Sequence, residues 1–427
     1  MPGLILAAPT SGAGKTTVTL ALLRLLNLMG HPVRAAKSGP DYIDPRFHEA
    51  ACEAPCLNLD AWAMTPDRIR SLAAGDELLV IEGAMGLFDG APPDGKGAVA
   101  DLARILDLPV VLVVDASHMA QSVAPLVAGF AAHDPAVRVA GVILNRVGSP
   151  RHARMLRTAL APLGLPVLAA LPRHPDLAMP SRHLGLVQAG ERPDLDPFLD
   201  RAAAILAEGV PGDAPPDLAA LLELATPLPG ASDAPRMTPP AQRIAVARDE
   251  AFAFSYPHML ADWHAQGAEI TFFSPLNDDP VPRAGFVFLP GGYPELHAGR
   301  IANAGRFLTT LRTHGERLPV YGECGGYMVL GDVLTDADGV PHQMAGLLNL
   351  ATSFKKRKMQ LGYRRVTATK GPFTGTFLAH EFHYATTLYQ SGDKLFQAED
   401  AEGTDLPAMG LREGRAYGSF AHIIDRA

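Results

Sequence analysis

Short, uninterrupted apolar runs recur through the first half of this 427-residue chain, and they constrain its fold more than any other feature. These runs lie at residues 78–81, 110–114, 139–144 and 167–170. Helical patterns separate them, for example over residues 17–29 and 99–106. Strands without polar alternation are buried on both faces, which is typical of parallel sheets covered by helices. The pattern therefore predicts a doubly wound α/β domain.

A change of composition then divides the chain. Prolines cluster between residues 211 and 242, around one short helical segment at 218–224. A new strand pattern begins after this segment at residues 243–247, and the apolar runs at 286–289 and 318–321 each end in a glycine-rich turn. We predict one α/β domain over residues 1–210, a semi-rigid linker over 211–242 and a second doubly wound α/β domain over 243–427.

Composition narrows the classes of function. A net charge of −8 disfavours wholesale binding to nucleic acid or acidic membranes. No apolar run approaches the roughly 20 residues that span a bilayer, and the apolar start lacks the basic leader of a signal peptide. Three cysteines do not make a disulfide framework. We expect a cytoplasmic protein without nucleic-acid or membrane partners, and a homodimer is among the oligomeric states left open.

Residues 8–17, Ala-Pro-Thr-Ser-Gly-Ala-Gly-Lys-Thr-Thr, form a glycine-rich loop between a predicted strand and a predicted helix. The backbone N–H groups of such a loop surround phosphates at a helix N-terminus, where the helix dipole favours negative charge. The lysine reaches the outer phosphates and the following hydroxyl binds Mg²⁺. Only the first glycine of the usual pattern is missing, and Pro9 takes its place. We expect ATP contacts from Ser11, Gly12, Ala13, Gly14, Lys15, Thr16 and Thr17.

Acidic and amide side chains follow several strands of the same predicted domain. Glu82 comes directly after a buried strand, at the carboxyl edge where ligands gather, so we predict that it binds Mg²⁺ together with Thr16. Asp41 is a further predicted Mg²⁺ ligand, and turn capping is the alternative for Asp41 and Asp44. Asn145 closes another strand, where it either contacts the base of the nucleotide or serves as a turn residue.

A second motif lies about 300 residues after the first, where residues 322–326, Gly-Glu-Cys-Gly-Gly, follow an apolar run. This arrangement places Cys324 on a sharp elbow at a helix N-terminus, whose dipole is expected to lower the pKa of the thiol. The N–H groups of Gly292 and Gly325 are the predicted oxyanion hole. His422, near the end of the chain, is the predicted base for the nucleophilic sulfur.

The first half resembles dethiobiotin synthetase and its relatives. The resemblance rests on a phosphate loop that has Thr10 in place of a second lysine, on the segment with Lys37, on the Glu-Gly-Ala turn at Glu82 and on Asn145. It implies an enzyme that activates a carboxyl-type group of its substrate with ATP.

The second half resembles a class I glutamine amidotransferase domain, which implies a flavodoxin-like fold and glutamine hydrolysis by Cys324 and His422. In the wider class a glutamate lies two residues after the histidine, whereas this chain has Ile424 there. Asp425, another acid or water then orients His422, or the histidine acts without a third member. The branch that lacks this glutamate is the one found in corrinoid amidases.

The whole chain resembles the cobyrinic (or hydrogenobyrinic) acid a,c-diamide synthases. Three segments carry this resemblance: 38–45 (Ser-Gly-Pro-Asp-Tyr-Ile-Asp-Pro), 82–90 (Glu-Gly-Ala-Met-Gly-Leu-Phe-Asp-Gly) and 380–384 (His-Glu-Phe-His-Tyr). They imply ATP- and glutamine-dependent amidation of the a and c acetate groups of (hydrogeno)cobyrinic acid in cobalamin biosynthesis. Mg²⁺ with ATP is the implied cofactor, without flavin, haem or zinc. The residues expected to face the substrate are Lys37, Asp41, Tyr42 and Asp44.

Three other functions compete with this one. Cobyric acid synthase shares both domains but usually carries a longer insertion, and a nickel-sirohydrochlorin diamide synthase is an enzyme of the same type. A nucleotide-switch protein belongs to a different class, and it has no need of Cys324 or His422. Whether the macrocycle already contains cobalt is left open.

Two further clusters have open roles. The histidines at 380 and 383 are three residues apart, whereas the zinc-protease pattern needs a separation of four on a helix. We expect an extended segment that contacts substrate or supports the cysteine site. The basic residues 355–358 and 364–365 either form a solvated face or bind corrin carboxylates.

Overall fold

A computed structural model describes residues 2–179, 181–182, 185–230 and 232–427. Contacts divide the chain into two compact units, Met1–Ala234 and Pro235–Ala427, and the division falls within the proline-rich segment. Within the described ranges, every helix is too short or too polar to cross a membrane.

The first unit is built around one large sheet. The strands of this unit are β1 (Pro2–Ala7), β2 (Val33–Ser38), β3 (Leu57–Leu59), β4 (Leu78–Glu82), β5 (Val110–Asp115), β6 (Val139–Val147), β7 (Val167–Pro172), β8 (Ser181–Arg182), β9 (Gly185–Leu186) and β10 (Thr226–Pro227). Its helices are α1 (Lys15–Leu28), α2 (Asp44–Cys52), α3 (Pro66–Ala73), α4 (Val99–Leu106), α5 (Val123–His133), α6 (Pro150–Leu160), α7 (Leu195–Glu208) and α8 (Leu218–Leu224).

Seven strands of this sheet are parallel, in the order β3-β2-β4-β1-β5-β6-β7. Strand β10 pairs antiparallel with the beginning of β1, and β8 and β9 form a separate ribbon. The four apolar runs of the sequence are β4 to β7, which confirms the predicted parallel sheet. Strands β4, β1, β5 and β6 are parallel neighbours in this order. The loops after β1, β4 and β6 therefore share one edge of the sheet.

The second unit contains three sheets. Its strands are β11 (Arg243–Ala247), β12 (Glu269–Phe273), β13 (Phe286–Leu289), β14 (Val320–Glu323), β15 (Val333–Thr335), β16 (Pro341–Gln343), β17 (Leu350–Ser353), β18 (Gln360–Ala368), β19 (Gly375–His383), β20 (Thr386–Gln390), β21 (Phe396–Glu399), β22 (Asp405–Met409), β23 (Leu411–Glu413), β24 (Ala416–Ser419) and β25 (Ala421–Arg426). Its helices are α9 (Pro257–Ala265), α10 (Ala298–Ala302), α11 (Gly305–Gly315) and α12 (Gly325–Leu330).

The central sheet of this unit has the order β12-β11-β13-β14-β24-β23, and its strands are parallel except for β23 at one edge. This confirms the predicted second α/β domain. A four-stranded sheet (β16-β15-β17-β20) and an antiparallel five-stranded sheet (β22-β21-β18-β19-β25) accompany it. Since β13 and β14 are neighbours, the turns that follow them meet at one edge of the central sheet.

Candidate active sites

The phosphate loop lies between β1 and α1, as the sequence predicts. Gly14 is the N-cap of α1 and has φ 86° and ψ 23°, a left-handed conformation that glycine adopts without strain. A Cβ at this position would lie 2.2 Å from Nδ2 of Asn145, which donates to the carbonyl of Ala13 at 2.9 Å. The predicted nucleotide residue Asn145 therefore packs against the phosphate loop itself.

Lys15 turns its ammonium back toward the loop. Its Nζ donates to the carbonyl of Thr10 at 3.4 Å and to the carbonyl of Met85, in the turn after β4. Burial lowers the pKa of Lys15 to about 8, although the nearby Glu82 carboxylate opposes the change. The lysine is thus buried beside the loop where phosphates would bind.

A buried cluster of charges lies beside the loop. The hydroxyl of Thr16 donates to Oε1 of Glu82 at 2.7 Å, and Oδ2 of Asp44 lies 3.4 Å from the same hydroxyl. Nζ of Lys37 donates to Asp44 Oδ2 at 2.6 Å and to Glu82 Oε1 at 2.8 Å. The structure therefore brings together four predicted site residues, from α1, β2, α2 and β4.

His48 is a member of this cluster that the sequence analysis missed. Its Nε2 lies 2.5 Å from Oε2 of Glu82, and the ring is fully buried. A signal for it was present, because His48 follows Asp44 by four residues and positions four apart share one face of a helix. Both oxygens of the Glu82 carboxylate are thus held by neighbouring side chains.

The charges in the cluster stabilise one another. Burial disfavours the ionised form of Glu82, but Lys37 and His48 more than offset it, and the pKa of this carboxyl is well below its usual range. Burial likewise disfavours the charged form of Lys37, whereas Asp44 and Glu82 favour it and leave its pKa raised. The site therefore holds ionised oxygen ligands in a buried position.

Asp41 lies slightly apart from these contacts. Its Oδ1 accepts from the backbone N–H of Ile43 at 2.8 Å and of Asp44 at 3.0 Å, which is the capping interaction that the sequence left as an alternative. Burial and the Asp44 carboxylate raise the pKa of Asp41 to about 6. The Mg²⁺ role of Asp41 stays a prediction, and Tyr42 is buried next to it.

The chemistry of the cluster fits Mg²⁺. The oxygens of Thr16, Asp44 and Glu82 are the hard ligands that this ion prefers, and the Lys37 ammonium already lies between the two carboxylates as a cation. Across the described ranges, no group of three or more His, Cys, Asp or Glu side chains is arranged to hold a metal ion. Mg²⁺ in such a site would depend on the hydroxyl and on nucleotide phosphates to complete its coordination.

The second unit carries the cysteine on a strained elbow. Cys324 lies between β14 and α12 with φ 46° and ψ −101°, a conformation that non-glycine residues rarely adopt. Such strain occurs where a turn must project a nucleophile. The predicted elbow at a helix N-terminus is confirmed.

Gly291 lies where the cysteine and the predicted base meet. A Cβ on Gly291 would be 2.3 Å from Cε1 of His422, 2.9 Å from its Nε2 and 3.3 Å from Cβ of Cys324. The two side chains therefore approach the same point of the backbone, and only glycine leaves room for them.

The two N–H groups proposed for the oxyanion hole are also neighbours. A Cβ on Gly325 would lie 3.1 Å from the backbone N of Gly292. Gly292 ends the turn after β13 and Gly325 begins α12, so the turns after adjacent strands supply both groups. Their role in binding an oxyanion stays a prediction.

The expectation of a lowered thiol pKa is wrong for this structure. Burial raises the pKa of Cys324 well above its ordinary value, and the Glu295 carboxylate adds to the increase. The six-residue helix α12 does not offset these effects. Burial, with the neighbouring His380 and His383, lowers the pKa of His422 to about 3. At neutral pH the structure thus pairs a thiol with a neutral imidazole that can accept its proton.

The segment with His380 and His383 lies at the cysteine site. It forms the end of β19, an extended strand that places His380 opposite His422 of β25. The carbonyl of Phe382 is 4.0 Å from Sγ of Cys324. Glu381 accepts from Arg364 of β18 at 2.8 Å and lies 3.2 Å from Nε2 of His383. Of the two expected roles, this position favours support of the cysteine site.

Glu323 is a buried acid at this site that the sequence analysis did not single out. Its Oε2 lies 3.7 Å from Nδ1 of His422, and its Oε1 accepts from the backbone N–H of Ile423 at 3.0 Å. The sequence signal was a glutamate at the end of an otherwise apolar strand, immediately before the nucleophile.

Comparisons with known proteins find a match for each of the two units. Residues 4–187 match the CobQ/CobB/MinD/ParA nucleotide binding domain, and residues 243–426 match the CobB/CobQ-like glutamine amidotransferase domain. The chain is 53% identical to the hydrogenobyrinate a,c-diamide synthases of Brucella anthropi and Rhizobium meliloti, over 100% of this chain and 99% of each relative. Identity to that of Mesorhizobium japonicum is 48%, over 99% of this chain and 98% of the relative. The chain therefore belongs to the hydrogenobyrinate a,c-diamide synthase family and is a glutamine-dependent amide-forming ligase.

Proposed function

We propose that this enzyme amidates the a and c acetate groups of hydrogenobyrinic acid, with one ATP and one glutamine consumed for each amide. The observation that carries the proposal is the presence, in one chain, of a phosphate loop beside buried carboxylates and a cysteine elbow beside a buried histidine. The names of its relatives favour the cobalt-free macrocycle over cobyrinic acid.

Ammonia is released at the cysteine site. His422 takes the proton of Cys324 as the sulfur attacks the side-chain amide of glutamine, and the N–H groups of Gly292 and Gly325 stabilise the resulting oxyanion. The protonated His422 then gives its proton to the leaving nitrogen, so ammonia departs and a thioester remains. Water cleaves the thioester and releases glutamate.

The phosphate loop serves the second half of the reaction. The backbone of residues 11–14 surrounds the phosphates, Lys15 contacts the outer ones and Asn145 positions the loop. Thr16, Glu82 and Asp41 or Asp44 would hold Mg²⁺, which neutralises charge on the β- and γ-phosphates when it is bound.

A substrate carboxylate then attacks the γ-phosphate in line, and ADP leaves. Ammonia attacks the resulting acyl phosphate, so that phosphate departs and the amide remains. Residues 37–44 line the side from which we propose that the carboxylate approaches. A nucleophilic cysteine must stay reduced, so we assign the reaction to the cytoplasm. Sedimentation analysis would test whether the enzyme is a homodimer, which is one of the oligomeric states left open.

The test is mass spectrometry of products after incubation with Mg-ATP, glutamine and either hydrogenobyrinic or cobyrinic acid. We expect two successive conversions of a carboxylate to a carboxamide on hydrogenobyrinic acid, each dependent on ATP. Fragmentation must place both on the a and c acetates. Amidation of other side chains would instead indicate a cobyric acid synthase, and nucleotide hydrolysis without any amide product would indicate a switch protein.

The low pKa of Lys15 predicts a pH dependence of ATP binding. Below a pH of about 8 this lysine carries its charge, and above it the free enzyme loses the proton that phosphate binding requires. Because bound phosphates favour the ammonium, ATP should then bind with proton uptake, and its Kd should rise by up to about tenfold per pH unit. Calorimetry from pH 7 to 9 in two buffers measures both quantities. A Lys15→Met control should bind weakly without this proton uptake, whereas identical uptake in both proteins would contradict the assignment.

A further inference from the structure

Glu323 is next to Cys324 in the chain and close to His422 in space. It is the last residue of β14, its side chain is 2% exposed, and Cys324 follows it directly in the chain. Strand β14 pairs with β24, and the backbone N–H of Cys324 donates to the carbonyl of Ser419 at 2.8 Å. The chain then runs from β24 into β25, so it carries His422 past the Glu323 side chain.

The two oxygens of this carboxylate face different groups. Oε1 accepts from the N–H of Ile423, the residue after the base, and this bond holds the carboxylate against the start of β25. Oε2 faces Nδ1 of His422 at 3.7 Å. A Cβ on Gly291 would lie 2.9 Å from Nε2 of His422 and 3.3 Å from Cβ of Cys324, so the ring that meets the carboxylate at Nδ1 also approaches the cysteine elbow.

We propose that Glu323 is the positioning residue for His422, in place of the acid that the wider class carries two residues after its histidine. The proposal rests on the glutamine hydrolysis assigned above. In the reaction the thiol proton moves to Nε2 of His422, and the ring becomes a cation. The carboxylate stabilises this cation through Nδ1–H while the proton stays on the histidine. The distance of 3.7 Å shortens to a hydrogen bond once the ring is charged.

The surroundings explain why the base needs this partner. His380 and His383 face His422 from β19, and burial with these neighbours makes its protonation unfavourable. Tyr321 of β14, Cys324 and His422 face Glu323. Burial raises the pKa of Glu323 to about 8, although the N–H of Ile423 and Tyr321 oppose the increase. Ionised Glu323 therefore becomes more abundant as pH rises through 8.

The experiment is kinetics of glutamine hydrolysis in the full-length Glu323→Gln enzyme, with Mg-ATP and hydrogenobyrinic acid present. Glutamine keeps an oxygen acceptor for the N–H of Ile423, so the fold is retained, but it cannot carry charge. We expect kcat to fall about 100-fold with an unchanged KM for glutamine. The rise of kcat through a pH of about 8 should disappear, and amidation driven by added ammonia should stay at the wild-type rate.

Two further variants distinguish a positioning role of Glu323 from a purely structural role. Glu323→Asp keeps the carboxylate, so it should retain a rising pH profile and part of the activity. Glu413→Gln changes an exposed glutamate of β23 and should match the wild type. A Glu323→Gln enzyme with wild-type kcat and pH profile would overturn the proposal, as would equal loss of ammonia-driven and glutamine-driven amidation. If the wild type itself does not hydrolyse glutamine, the proposed function fails instead.

Discussion

Replacing Cys324 with serine is expected to lower the rate of glutamine-dependent amidation by about 10⁴-fold or more, while ammonia-driven amidation continues at the wild-type rate. A buried serine hydroxyl loses its proton far less readily than a thiol, and its oxygen is the poorer nucleophile beside a neutral imidazole. The phosphate loop and its carboxylates lie in the other compact unit and are unchanged. Amide formation should be followed by mass spectrometry with glutamine and with ammonium chloride as alternative nitrogen sources.

The chain provides a matched control for this substitution. Cys52 is also buried, and its Sγ donates to the carbonyl of His48 at 3.1 Å, a bond that a serine hydroxyl keeps. The Cys52→Ser enzyme should use both nitrogen sources normally. Glutamine use that survives in Cys324→Ser would show that the elbow is not the nucleophile, and loss of both reactions would show that the substitution acts through folding.

The features that were predictable from the sequence are those encoded by neighbouring residues. The phosphate loop and the cysteine elbow each occupy a short segment between a strand and a helix, so their geometry follows from local glycines and from the parallel sheet. The apolar runs of β4 to β7 are buried on both faces, so these strands could be recognised from their own residues without knowledge of the strands that pair with them. The assignment of Cys324 to an elbow needed no long-range information.

The features that were missed depend on contacts between distant segments. Glu323 reaches His422 across 99 positions of the chain, and which acid replaces the missing third member is decided by the pairing of β14 with β24. The antiparallel sheet with β18 and β19 was also unpredicted. Strand β18 is largely half-buried and carries two arginines, so it lacks the continuous apolar run that revealed the parallel strands. The raised thiol pKa arises from burial by such packing.

Replacing Lys37 with methionine is expected to have the largest effect on the first unit. The ammonium lies 2.6 Å from Asp44 and 2.8 Å from Glu82, and all three side chains are buried. Without it, two carboxylates remain in the interior with no cation between them. Removing one partner of a buried ion pair lowers the free energy of unfolding by about 3–5 kcal/mol, so we expect a loss of that size at neutral pH.

The pH dependence of this loss has a definite sign. In the wild type Glu82 has a lowered pKa, so its contribution to stability is complete above its unfolded pKa of about 4.3 and disappears only in stronger acid. In Lys37→Met, burial instead favours the protonated form. The variant should therefore recover stability as pH falls toward about 5, because its carboxylates can then take up protons on folding. Urea unfolding at several pH values measures the difference.

A control variant and a second measurement distinguish loss of the buried ion pairs from nonspecific destabilisation of the fold. Lys96→Met removes an exposed ammonium that lies 5.7 Å from the centroid of the Trp62 ring, and it should cost under about 1 kcal/mol at every pH. The Lys37→Met enzyme should lose ATP-dependent amidation but keep glutamine hydrolysis, since Cys324 and His422 belong to the other unit. A loss of stability that does not change with pH would contradict the ionic cluster as its cause, because only titratable carboxylates make the loss depend on protons.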